Sequence, residues 1–177
     1  MHAVRFYEDS ASLGHLVADF VAASLVCDRG AVIVARSEHR ARIIDDLARR
    51  GLDVAQLKLS QQLVMLDAEE TLAQFMDGDL PDAKLFVATI EPVINLVSSR
   101  GGPIRVYGEM VDLLWGEGLT QAALRLEMLW NVLSRTHQYS LLCGYSLRNT
   151  YREYAIREIC GHHSHVVSGK GLGIPLG

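Results

Sequence analysis

Apolar residues along the chain fall into short, nearly uninterrupted runs, separated by stretches in which they recur every three or four positions. This is the alternation of a parallel sheet covered by helices. Val4 to Tyr7, Ala31 to Ala35, Leu63 to Leu66, Ile104 to Tyr107 and Ser140 to Tyr145 are the candidate strands. Most are apolar throughout, which suits central strands buried on both faces, and the pattern leaves room for a sixth. Leu13, Leu16, Val17, Phe20, Val21 and Ser24 form a helical stripe with Ser10 as N-cap, and Gly30 terminates the connection. Ser37 is placed to cap the next helix. There Ile43, Ile44 and Leu47 face inward, while Arg40, Arg42, Arg49 and Arg50 face water until Gly51 stops the helix. Glu69 to Met76 reads as a short helix. Pro81 suits the first turn of a longer one carrying Leu85, Phe86, Ile90, Ile94 and Val97, which Pro92 should kink or split. Ser98 to Pro103 is a turn. Leu119, Ala122, Ala123, Leu126, Trp130, Leu133 and His137 form the clearest amphipathic stripe, with Arg125, Glu127, Asn131 and Ser134 assigned to other faces and Trp130 to packing. Thr150 and Glu153 have capping-box spacing before a last helix that reaches about Cys160.

These elements predict an α/β class: a three-layer α/β/α arrangement with a mainly parallel central sheet. A chain of 177 residues, 49% hydrophobic and 21% charged, is enough for one domain with a sizeable core. We expect that domain to span residues 1–167, followed by a flexible glycine-rich tail over 168–177. A formal charge of -4 leaves no basic surplus for neutralising phosphates, so direct nucleic-acid binding is not expected. Polar residues interrupt every apolar run before membrane-spanning length, and the N-terminus lacks a leader pattern, so a cytoplasmic location is expected. Cys27, Cys143 and Cys160 are odd in number and widely spaced, unlike a disulfide framework, and Cys27 and Cys143 read as small core residues.

The first strand runs into its helix through Glu8-Asp9-Ser10-Ala11-Ser12-Leu13, where a nucleotide-binding α/β protein carries a glycine-rich phosphate loop. No G-x-x-x-x-G-K-[ST] occurs, so the backbone cradle and the lysine that grip triphosphate are missing. Ligands of open parallel sheets bind outside the carboxyl ends of the strands, which places Glu8, Asp9, Arg36 to Arg40, Gly108 and Glu109 on one rim. In a functional reading Glu109 accepts from a ligand or from Arg40, with His39 and Tyr107 adding polar and aromatic contacts. In the alternative, Glu8, Asp9 and Glu109 are helix-initiating acids at N-terminal dipoles. Cys160, His162, His163 and His165 form a competing transition-metal constellation, which His2 or His137 could join, although C-x-H-H-x-H fits no usual zinc template. No resident cofactor is otherwise expected. No serine lies in a G-x-S-x-G elbow and no cysteine has an activating context, so no nucleophile is assigned and an enzyme is not expected.

Ile104-Arg105-Val106-Tyr107-Gly108-Glu109-Met110-Val111-Asp112-Leu113-Leu114-Trp115 is followed by Trp130-Asn131 and Leu141-Leu142-Cys143-Gly144-Tyr145. Together with His2 to Asp9, Ala35 through Glu38-His39-Arg40 and His163-Ser164-His165-Val166, this ordered set resembles the MEDS sensory domain of methanogen and methylotroph proteins. The resemblance spans roughly residues 2–167. It implies a RecA/KaiC-type domain that has lost its phosphate loop, and a sensory role beside histidine kinases or within transcriptional regulators, directed at small hydrocarbon derivatives. Carried over by position, Phe6, Tyr7, Glu8 and Asp9 stand where related ATPases hold phosphate, and Glu109 where an acid follows a strand. Tyr7, Tyr107 and Trp115 then supply pocket walls or belong to ordinary core. The chain shows no kinase segment or DNA-binding helix pair, so output is expected to pass through a separate signalling partner, and homo-oligomer formation stays open. A degenerate nucleotide-binding or metal-dependent enzyme and a pure interaction scaffold are the alternatives. In the sensory reading, a ligand must favour one arrangement of Glu8 to Leu13 and Gly108 to Trp115 over another.

Overall fold

Alternation of buried strands with one-sided helices produces a three-layer α/β/α fold in the computed structural model, which describes residues 1–150, 153–167 and 174–175. The strands are β1 (His2–Tyr7), β2 (Ala31–Ala35), β3 (Leu63–Asp67), β4 (Met76–Asp77), β5 (Leu80–Pro81), β6 (Ile104–Gly108), β7 (Tyr139–Ser146), β8 (His165–Val166) and β9 (Ile174–Pro175). The helices are α1 (Ser10–Leu25), α2 (Ser37–Arg49), α3 (Val54–Leu59), α4 (Ala68–Ala73), α5 (Ala83–Ser98), α6 (Met110–Gly116), α7 (Thr120–Leu133), α8 (Leu147–Thr150) and α9 (Glu153–Cys160). The main sheet runs in the order β3-β2-β6-β7-β1-β8-β9, while β4 and β5 form a separate small hairpin. All neighbours in the main sheet pair in parallel except β8 and β9. Each expected strand is present, and β8 supplies the sixth by pairing with β1 at Ala3↔His165 and Val4↔Val166.

Period-two alternation divides the core between the two sheet faces. Ala3 and Tyr7 of β1, Ile33 of β2 and Tyr107 of β6 pack with Leu13, Val17, Ile43 and Leu47 of α1 and α2. On the other face Val4, Val32, Val106, Leu141 and Cys143 pack with Phe86, Ile94, Leu114, Leu126 and Trp130. Trp130 meets Phe86 edge-on at 5.1 Å, and Phe86 meets Phe75 in the same way at 5.3 Å, which makes Trp130 the packing anchor of that layer. Gly30 lets the layers close: a Cβ there would stand 2.3 Å from the Val97 carbonyl oxygen.

Several local expectations change. Asp9, not Ser10, caps α1, because its two carboxyl oxygens take the amides of both Ala11 and Ser12. Arg36, not Ser37, occupies the cap position of α2. Pro81 lies in β5, and Asp82 caps α5 through the amides of Lys84 and Leu85. Pro92 leaves α5 unbroken: it and Ala88, whose carbonyl has no proline N–H to accept from, both lie on the exposed face of the helix. Leu85 is exposed on the same helix. The helix starting near Glu69 ends at Ala73. Cys27 is exposed because α1 ends at Leu25 and leaves it in a turn, whereas Cys143 is buried. Glu127, assigned to an outer face, is fully buried. The expected capping box at Thr150 and Glu153 lies outside the described side chains. Of the expected flexible tail, residues 168–173 and 176–177 lie outside the described residues, and Ile174–Pro175 pairs with β8.

Candidate functional site

The carboxyl edge of the sheet meets a reversal of chain direction. From β1 and β2 the chain enters α1 and α2 on one face, while from β6 it enters α6 on the other, so the layers part above the β2/β6 and β1/β7 boundaries. Such a crevice is the usual ligand position of open α/β sheets. Here it forms a cleft of about 530 Å³ whose lining includes Tyr7, Ser10, Arg36, His39, Asp112 and Arg148.

A buried polar network makes its floor. Glu109, the residue after β6, is completely buried, and its Oε2 lies 2.6 Å from His39 Nδ1 and accepts from Tyr107 OH at 3.1 Å. Its Oε1 accepts the Arg36 backbone amide, which ties the β2–α2 turn to the β6–α6 turn. The other nitrogen of His39 lies 3.1 Å from Ser10 Oγ. Asp112, one helical turn on, accepts from Arg36 Nη2 at 2.8 Å, from Tyr7 OH at 3.3 Å, from the Ser146 amide at 2.8 Å and from Asn149 Nδ2 at 3.2 Å. Four strand-to-helix junctions are thus joined through two buried acids. Burial first, and then Asp112 and Glu109, push the Tyr7 hydroxyl well above its ordinary value, so it remains a donor. Burial works against the charge of Arg36, but Glu109 and Asp112 raise its affinity for the proton, so the guanidinium stays cationic. Tyr107 is raised by burial and by Glu109. Gly144 makes room for that ring, since a Cβ there would fall 2.6 Å from the Tyr107 oxygen.

The structure brings Tyr7, His39, Tyr107 and Glu109 together. Glu8 and Asp9 lie exposed at the cleft mouth, with Asp9 serving as a helix cap. Arg40 does not reach Glu109; it pairs with Asp67 at 2.9 Å. Trp115 packs edge-on to Tyr145 in the core of the opposite face, so it does not share a wall with Tyr7 and Tyr107. Asp112, Ser146 and Asn149 are members that sequence reading missed. The aspartate is buried inside a helix whose flanks are apolar, and that placement was the one available signal.

Cys160, His162, His163 and His165 do not converge. Cys160 is half-buried among apolar neighbours, His162 presents its carbonyl to Asn131, and His165 Nδ1 lies 2.8 Å from Ser164 Oγ. Only His163 turns inward, where it meets His2, Glu127 and Cys143.

No helix among the described residues is long and apolar enough to cross a membrane. Comparison with curated proteins finds no match. Among solved structures, the chain is similar to that of an uncharacterized protein from Pyrococcus horikoshii in complex with an unknown peptide. The TM-score is 0.64 at 14% identity, over 93% of this chain and 75% of that one, and the likeness extends to the fold alone. The family model for the methanogen/methylotroph, DcmR sensory domain matches residues 1–164. The chain therefore belongs to the MEDS family of sensory domains.

Proposed function

We propose that this sensory domain reads a small polar molecule, such as an oxygenated derivative of a short hydrocarbon, in the strand-end cleft. It reports occupancy to a signalling partner such as a histidine kinase or a transcription regulator. The observation that carries the reading is the network of Glu109 and Asp112, because one ligand that replaces any of its bonds acts on the turns after β1, β2, β6 and β7 together. A cleft edged by Arg36, His39 and Arg148 suits a ligand with a hydrogen-bonding end better than a bare hydrocarbon. The domain works by shifting between arrangements and not by turnover: the β1–α1 turn Glu8-Asp9-Ser10-Ala11 lacks the glycines of a phosphate loop. That turn also supports the reading of a RecA/KaiC-type frame that no longer grips triphosphate.

The test is an amide-detected NMR titration with a panel of short alcohols, amides, carboxylic acids and halogenated alkanes. A binder is expected to move the Arg36 and Ser146 amides first, and Asp112→Asn is expected to weaken it. Saturable shifts confined to other surfaces, or none with any member of the panel, would overturn the assignment of the cleft.

A further inference from the structure

A second polar cluster lies on the other sheet face, beneath α7. His2 and Cys143 point to the same side of β1 and β7, Glu127 reaches down from α7, and His163 comes from the turn before β8. One ligand atom from each lies within 4.8 Å of every other. His2 Nε2 is 3.0 Å from Glu127 Oε2 and 3.3 Å from Cys143 Sγ, and that sulfur is 3.4 Å from Glu127 Oε2. His163 Nε2 is 3.2 Å from Glu127 Oε1. A tetrahedral ion with bonds of about 2.0–2.3 Å has ligand-to-ligand edges of about 3.3–3.8 Å, which His2, Cys143 and Glu127 Oε2 approach, while His163 stands beside Oε1 within the 4.8 Å that encloses all four.

The surroundings orient the ligands as metal sites require. His2 Nδ1 lies 2.9 Å from Asn131 Oδ1, whose amide is fixed because its nitrogen donates to the His162 carbonyl at 3.1 Å. His163 Nδ1 lies 2.7 Å from the Ile159 carbonyl. An acceptor at each Nδ1 keeps a proton on that nitrogen, so an Nε2 that gives up its own proton presents a lone pair to the cluster. Tyr145 OH donates to Glu127 Oε1 at 2.8 Å, leaving Oε2 directed at His2 and Cys143. His163 Nε2 is buried and, despite its nearness to Glu127, has no hydrogen bond of acceptable geometry. Among the described residues the ion pairs of Glu127 are with His2 and His163, and none is with an arginine or lysine. A cleft of about 420 Å³, lined in part by His2, Asn131, His162 and His163, leads to the cluster from solvent.

We propose that His2, Glu127, Cys143 and His163 form a site for one divalent transition-metal ion of the zinc or cobalt class. Two neutral imidazoles, one carboxylate and one thiolate balance a double positive charge, and the mixture of nitrogen, sulfur and oxygen favours such ions over magnesium or calcium. On binding, the Cys143 thiol gives its proton to solvent as the sulfur–metal bond forms, and any proton on an imidazole Nε2 leaves by the same route. The site is separate from the strand-end cleft and does not depend on a ligand there.

The test uses the full chain without a polyhistidine tag, stripped with chelator and titrated with cobalt(II) and with zinc(II). One equivalent of cobalt is expected, with a thiolate-to-cobalt charge-transfer band and tetrahedral visible bands that zinc abolishes. Cys143→Ser should lose the charge-transfer band. Asn131→Ala, which spares every ligand, should weaken binding by about 10–100-fold with an unchanged far-ultraviolet circular dichroism spectrum. Absence of stoichiometric uptake by the folded wild-type chain would overturn the proposal. So would a charge-transfer band that persists in Cys143→Ser, because the thiolate would then be Cys27 or Cys160.

Discussion

The two buried polar clusters use nearly the same side chains and reach opposite electrostatic solutions. Above the sheet edge, Glu109 and Asp112 meet His39, Tyr7 and Tyr107, and Arg36 pairs with both acids and offsets part of their charge. Beneath α7, Glu127 meets His2, His163, Cys143 and Tyr145, and among the described residues no arginine or lysine pairs with it. The first network carries its own cation as folded. The second is balanced by whatever arrives, a proton or an ion. The difference separates a scaffold that a ligand could bias from a site that a ligand would complete.

The largest effect should come from breaking the self-sufficient network. Arg36→Ala strands two buried acids and is expected to cost about 3–5 kcal/mol of unfolding free energy by urea titration. A companion Asp112→Asn change should recover part of that loss, and a loss below about 1 kcal/mol would show that Arg36 is not the balancing charge. An intermediate effect should come from completing the other cluster. Zinc at a hundredfold excess over its dissociation constant should stabilise the wild type by about 2.7 kcal/mol and leave Glu127→Gln unmoved. The smallest should come from Asp9, a solvated cap outside both networks. Bonds from Ser12 and Ala11 lower its carboxyl below the ordinary value, so its contribution is complete above the ordinary carboxylate range and disappears as pH falls through the lowered value. Asp9→Ala should therefore melt slightly earlier near neutrality, with the gap closing in acid.

The strands were legible because a parallel strand buried on both faces is written as a short continuous apolar run, and Ala31–Ala35 has the same bounds in sequence and structure. Helix caps were less legible: at Asp9 and Asp82 an acid outcompeted the neighbouring serine or proline by binding two amides at once. Glu109 and His39 could be singled out because each closely follows a strand. Asp112 was lost inside an apolar helix. Glu127 reads as lying off the amphipathic stripe, although its place four residues after Ala123 and three before Trp130 puts it on the buried side. The histidine-rich segment drew attention for its composition, yet only His163 turns inward, and its partners come from residues 2, 127 and 143. Such partnerships arise from strand order, which local spacing does not encode.

The most direct test of the sensory account is hydrogen–deuterium exchange of the wild type with and without a small-molecule binder from the panel. Slowed exchange together in the segments 8–12, 36–39, 109–112 and 146–149 is the predicted result. Protection confined to one of these segments, or located away from the strand-end cleft, would contradict it.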